Sequence, residues 1–224
     1  MDLRDRIDQW ARRLELSLET LAGAGAEVDP MFRAGAPAGH VLRDVEHDVR
    51  RPIPEVLRSI LVEQAALRGA WRLGDELEST LPARSRAVSW GGIDLSVREV
   101  VAAEQSRQGW VAECFSNPAD AYDAVWHHKF AFHTVPNGDC LAIGDDDPAG
   151  AVYYLSHDDG EGHGVQLAPS LVSFLDRWSR LAFAGPEDWL LLPFTSAAAA
   201  GLEDRGAHAS EWRAALGLTA LEES

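Results

Sequence analysis

Phe130-Ala131-Phe132-His133-Thr134-Val135-Pro136-Asn137-Gly138-Asp139-Cys140-Leu141-Ala142-Ile143, running on through Asp145-Asp146-Asp147-Pro148-Ala149-Gly150 to Ala151-Val152-Tyr153-Tyr154-Leu155-Ser156, decides the fold class. Phe130–Val135, Cys140–Ile143 and Ala151–Ser156 are short, strand-like runs, and turn chemistry separates them. Asn137-Gly138 accepts the positive φ that a type I′ hairpin turn demands. Asp145–Gly150 supplies the second turn. The spacing predicts a three-stranded antiparallel meander over Phe130–Ser156, with Val165–Leu167 adding an edge strand.

Outward from the meander the period becomes helical. Pro169-Ser170 caps a helix whose inward face holds Leu171, Phe174, Leu175, Trp178 and Leu181. Trp189–Phe194 is a further apolar segment, and Glu211–Leu218 reads as a short terminal helix. On the N-terminal side, Ser96-Val97-Arg98-Glu99 has the spacing of a capping box and opens a helix ending near Gln108-Gly109. Before it, Ser89–Leu95 reads as a short strand or aromatic turn. Pro52-Ile53-Pro54 starts another helix, with Leu57, Ile60, Leu61, Gln64 and Leu67 facing inward. Residues 2–22 form an amphipathic helix, because Leu3, Ile7, Trp10, Leu14, Leu18 and Leu21 recur at steps of three and four. Ala24–Gly39, with Pro30, Pro37 and several Gly and Ala, reads as a linker.

These elements predict an α+β fold: a twisted, largely antiparallel sheet flanked by helices, with an N-terminal helical extension. The expected organisation is a helix and linker over residues 1–45, an α+β domain over 46–195, and a tail with a short helix over 196–224.

Charge narrows the function classes. The 224 residues carry 36 Asp and Glu against 20 Lys and Arg, a net charge of −16 at pH 7. The net is −3 over residues 1–50, 0 over 51–110 and −13 over 111–224. A general nucleic-acid binder needs clustered Lys and Arg to neutralise phosphates, so that class is disfavoured, as is an anionic membrane surface. A basic protein partner fits. No apolar run reaches the length of a membrane span, and Met1-Asp2-Leu3-Arg4 lacks the apolar core of a signal peptide. Two cysteines, Cys114 and Cys140, make no disulfide framework, so the expected compartment is the cytoplasm.

The chemistry-bearing candidates are few. GxGxxG, GxxxxGK[ST], GxSxG, HExxH and CxxC are all absent. His157-Asp158-Asp159-Gly160-Glu161-Gly162-His163 offers imidazole and carboxylate donors that suit zinc, manganese or iron. A metal-dependent hydrolase using His157, Asp158 and His163 is therefore one alternative. Cys140 beside Asp139 is a second, nucleophilic one, with nothing in the sequence to place a base near it. Both compete with plainer roles, a solvated acidic turn and a core thiol. The eight tryptophans read mainly as core, with interface anchors among them.

Several weak signatures occur in an order that resembles the SUKH superfamily. They are the Ile53–Leu57 helix start, the Trp90-Gly91 turn, Phe132–Asp139 with Leu141–Ile143, Val152–Asp158, and the helix start at Leu167–Leu175. The likeness spans about residues 50–190. This is the domain of the fungal Smi/Knr-type cell-wall regulators and of many bacterial immunity proteins. It implies an α+β fold, no catalytic residues, no cofactor or metal, and function by protein binding. The expectation is thus a non-enzymatic immunity protein that neutralises a polymorphic or contact-dependent toxin. The alternatives are the hydrolase and a regulatory scaffold without a toxin. The expected partner surface is acidic: Asp145, Asp146 and Asp147 in one turn, His157, Asp158, Asp159 and Glu161 in the other. The two turns fall at opposite ends of the third meander strand, separated by about 17–20 Å at roughly 3.3 Å per residue.

Overall fold

The computed structural model describes residues 1–146 and 148–222, so Asp147 lies outside the described residues. Helix α1 (Leu3–Gly23) is capped reciprocally: the Asp2 carboxylate accepts from Asp5 N–H at 2.8 Å, and that of Asp5 accepts from Asp2 N–H at 3.3 Å. Its apolar stripe is buried, from Ile7 to Leu21. Residues expected as linker form strand β1 (Glu27–Ala34) instead. It lacks a β-branched alternation, and its Pro30 is accommodated where the register slips between Asp29 and Phe32, on an edge strand.

Helices α2 (Val41–Asp48) and α3 (Glu55–Glu63) follow. Leu57, Ile60 and Leu61 face inward as expected, but Leu67 is not helical. It belongs to strand β2 (Ala66–Arg72), where Leu67, Gly69 and Trp71 alternate inward. A spacing of three from Gln64 to Leu67 suits a helix, while Leu67-x-Gly69-x-Trp71 suits a strand, and pairing with two neighbours decides the outcome. Past the short helix α4 (Asp75–Ser79), strand β3 (Trp90–Ser96) pairs with β2, giving an antiparallel sheet in the order β1-β2-β3. Ser96 caps helix α5 (Val97–Glu113), accepting from Glu99 N–H at 3.2 Å. The capping box is only half made. The Glu99 carboxylate accepts instead from Thr134 N–H at 2.6 Å, and the helix continues through Gly109.

After a single turn, α6 (Asp123–Trp126), the meander appears. Strands β4 (Lys129–Thr134), β5 (Cys140–Gly144), β6 (Val152–Leu155) and β7 (Gln166–Ala168) form a four-stranded antiparallel sheet in chain order. Ser170 caps α7 (Leu171–Arg180). Short helix α8 (Asp188–Leu191), hairpin strands β8 (Thr195–Ser196) and β9 (Gly201–Leu202), and helix α9 (Ala207–Ala215) complete the chain. That last helix starts four residues earlier than expected.

The fold class is α+β. Instead of one continuous sheet, the three- and four-stranded sheets meet edge to edge without pairing, and His133 Nδ1 of β4 lies 3.4 Å from the Asp94 carbonyl oxygen of β3. Alternation along the second sheet feeds two cores. Phe130, Phe132, Leu141, Ile143 and Tyr154 face the main core with α7; Ala131, Cys140, Ala142 and Leu155 face a smaller one with Ala103 of α5 and Trp126. Helices on both faces explain why β5 is buried at all five positions. The main core runs from Ile7 to Leu221, so the segments expected to divide at 45 and 195 share one interior.

Trp178 lies at the centre of that interior, fully buried, donating from Nε1 to the Ala184 carbonyl at 2.7 Å and ringed by Phe174, Phe183 and His133. Trp178→Ala is expected to cost about 3–5 kcal/mol. Thermal melts would measure it, and an unchanged midpoint would place the indole outside the cooperative core.

Candidate functional site

The hairpin between β4 and β5 sets the geometry of the acidic loop. Gly138 N–H donates to the Val135 carbonyl at 2.9 Å, Val135 N–H donates to Asp139 at 2.9 Å, and within the turn only Gly138 has positive φ, at 101°. This is a type I turn closed by a left-handed glycine, not the expected type I′. Pro136 is the reason, since its fixed φ suits the second position of a type I turn.

Asp139 follows, 1% exposed, with both carboxylate oxygens fully engaged. Oδ2 accepts from Tyr154 Oη at 2.6 Å and Asn137 Nδ2 at 2.8 Å; Oδ1 accepts from His157 N–H at 2.8 Å and His157 Nδ1 at 2.6 Å. Because a carboxylate only accepts, Nδ1 of His157 carries a proton. Burial, reinforced by Asp139, pushes the Tyr154 phenol up, so it stays a donor. The imidazole of His157 stacks on Trp110 with centroids 4.7 Å apart, and Trp110 Nε1 donates to Gly138 O at 3.0 Å. Sequence reasoning considered Asp139 only as a partner for Cys140; its role as organiser of this end of the sheet depends on contacts 15 and 18 residues away.

The loop after β6 is held just as closely. Ser156 Oγ donates to Asp158 Oδ1 at 2.8 Å and accepts from Gly160 N–H at 3.1 Å. His163 Nδ1 accepts from Ser156 N–H at 3.2 Å, so its proton sits on Nε2, which donates to the Tyr122 carbonyl at 3.1 Å. Tyr122 stacks on His163 at 3.7 Å, donates to Ser156 O and accepts from Asp159 N–H. From the far side, Asp188 Oδ2 accepts from Gly162 N–H at 2.9 Å. Asp158, Asp159 and Glu161 are left exposed, and none of the three forms an ion pair with a described residue.

Metal and nucleophile chemistry fit poorly here. Ligand atoms of Asp139, His157 and Asp158 fall within 4.8 Å of one another, but the Asp139 lone pairs and His157 Nδ1 are already committed to protein hydrogen bonds. His163 is outside that group, with both ring nitrogens bonded to backbone. The Cys140 thiol is buried, and burial followed by the Asp139 charge pushes it up to about 12, which removes the thiolate needed for attack.

The other acidic turn lies at the opposite end of β6 and is partly neutralised. Arg51 pairs with Asp145 while also donating to Lys129 O at 2.8 Å. Lys129, the one lysine of the chain, sits over the Tyr153 ring at 4.8 Å; its pKa is lowered by burial, against the opposing pull of Asp145 and Asp146. Asp146 is exposed. Sequence reasoning placed Trp189 in an apolar segment and among eight tryptophans read mainly as core, without singling it out. It is 53% exposed and adjoins Asp188, the residue that anchors Gly162 of the acidic loop.

No family model, curated protein or solved structure matches this chain. No helix among the described residues is long and apolar enough to cross a membrane.

Proposed function

We propose that the chain is a non-enzymatic, SUKH-type protein-binding domain acting in the cytoplasm as an immunity protein, which neutralises a basic toxin domain by direct contact. The observation that carries this reading is the rigid loop His157–Glu161. Its carboxylates are exposed and free of ion pairs with described residues, and Asp188, which anchors the loop at Gly162, precedes the exposed Trp189 in the chain. Tryptophan is also among the residue types most enriched in binding hot spots. Fixed negative charge accelerates encounter with a basic surface. Asp145 and Asp146 form the second, weaker contact, because Arg51 and Lys129 offset their field; Asp147, expected to share it, lies outside the described residues. The two unpaired cysteines agree with a reducing compartment.

The test is association with the product of the neighbouring reading frame. Asp158→Lys and Glu161→Lys are each expected to slow association about tenfold at low salt and flatten its salt dependence, with folding intact. Asp146→Lys should do less. Unchanged rates in all three variants would overturn the placement. A neighbour without a toxic domain would leave the scaffold reading, and stoichiometric, tightly held zinc or manganese in the purified protein would restore the hydrolase.

A further inference from the structure

A groove of about 580 Å³ opens where the solvent face of the first sheet meets the free edge of β4. Register explains it. Ala70 of β2 stands directly across from Gly92 of β3, so two outward positions in the middle of the sheet carry almost no side chain. On a solvated antiparallel face this pairing forgoes the cross-strand contact that larger residues would make. Trp90 and Asp94 flank the gap along β3, and the slipped register near Pro30 brings Phe32 to the opposite rim. Phe32 is 49% exposed.

Charge in the groove is layered. At the exposed rim Arg68, which the register sets between Phe32 and Asp94, lays its guanidinium over the Phe32 ring at 4.6 Å. Deeper, the half-buried Asp94 and Glu99 form no ion pair among the described residues, although Arg68 stands across from Asp94 in the register. Glu99 accepts from Thr134 N–H, and Asp94 Oδ1 is shielded from solvent without a hydrogen bond. His133 supplies no compensating charge, because desolvation lowers its pKa and keeps the ring neutral. Asp29, Asp94 and Glu99 against the one guanidinium of Arg68, with an indole and a floor of small residues, make a site for an organic cation. A guanidinium suits it best, being weakly hydrated, able to stack on aromatic rings and to bridge carboxylates through a planar fork. The volume lies within the range of ligand pockets and admits an arginine with its flanking backbone. Pro30, Pro136 and Pro186 line the groove and keep it preformed, which lowers the ordering cost of binding.

We propose that this groove is a recognition slot for an arginine side chain presented by a protein partner; the proposal rests on the reading of the chain as a binder of basic proteins. The groove adjoins the acidic loop through two turns. Pro136 belongs to the hairpin whose Asp139 holds His157, and Pro186 lies two residues before Asp188, which holds Gly162. One partner can therefore seat an arginine in the slot while its basic surface covers the loop.

The test is a titration of the peptide acetyl-Gly-Arg-Gly-Arg-Gly-amide into the full, nitrogen-15-labelled chain. Saturable shifts are expected at the amides of Gly92, Asp94 and Thr134 and at the Trp90 indole N–H. Asp94→Asn should weaken binding about tenfold, Ala70→Leu should abolish it by filling the floor, and both should melt like the parent chain. Glu161→Lys should leave the groove shifts in place. Binding of a lysine counterpart with equal strength would overturn the arginine assignment. Shifts confined to residues 157–161, with Asp94→Asn and Ala70→Leu binding normally, would overturn the slot while the acidic-surface reading stands. No shift anywhere would overturn the slot, while the acidic-surface reading is decided separately by the association rates of Asp158→Lys and Glu161→Lys.

Discussion

Deleting residues 2–24 is expected to abolish cooperative unfolding of the remaining chain. Helix α1 reads from sequence as an appendage, but it carries five large apolar side chains that are 5% exposed or less: Ile7, Trp10, Leu14, Leu18 and Leu21. At about 1.5–3 kcal/mol each, their burial amounts to roughly the whole stability of a typical domain, about 5–15 kcal/mol. The helix lies close against β2. A Cβ built on Gly69 would stand 3.0 Å from Leu18 and 3.2 Å from Leu14, so this strand position is a glycine to let α1 approach. Polar contacts add to the loss, since Trp10 Nε1 donates to Asp176 at 2.7 Å and Arg13 donates to Ser179 Oγ at 3.1 Å, both on α7. Urea titration followed by circular dichroism would read the outcome. A shortened chain that kept a sharp transition with a similar slope would show that the core closes without α1.

Elements whose signal is local are legible in the sequence. The meander, the Ser170-capped helix and the α1 stripe each announce themselves within a few residues, because turn residues and one clean period agree. Where local signals conflict, tertiary pairing decides. Glu27–Ala34 carries a proline and no β-branched alternation, so only its pairing with β2 makes it a strand. Gly109 suggests a helix end, but α5 runs on to pack Trp110 and Val111 against the smaller core. The candidate site divides the same way. Clustering of Asp158, Asp159 and Glu161 is visible as composition. That Asp139 fixes His157 and that Asp188 fixes Gly162 both depend on contacts between distant parts of the chain. The groove is less legible still, since an alanine and a glycine 22 positions apart mean nothing until the register places them side by side.

Glu104→Ala should be as damaging as the loss of a large core side chain. Glu104 is fully buried on α5 and accepts five hydrogen bonds: from Arg107 Nε at 2.9 Å and Nη2 at 2.7 Å, Arg51 Nη1 at 3.1 Å, Gln108 Nε2 at 2.9 Å and Ala131 N–H at 2.8 Å. Removing the carboxylate leaves the buried Arg107 cation with only the Trp126 carbonyl, at 2.8 Å, and orphans a backbone donor of β4. An uncompensated buried charge of this kind costs about 3–5 kcal/mol, a fall in melting temperature of roughly 6–20 °C for a chain of this size. Arg51 also pairs with Asp145, so losing its other carboxylate should let the guanidinium move towards Asp145 and shift the amides of the Asp145–Asp146 turn. The paired substitution Glu104→Met with Arg107→Met separates attraction from orphaned charge, because it removes both ions at once. If the damage comes from a stranded cation, the double variant melts above Glu104→Ala, even though it has lost more hydrogen bonds. If it melts lower, the ion pair itself is what holds α5 to the sheet.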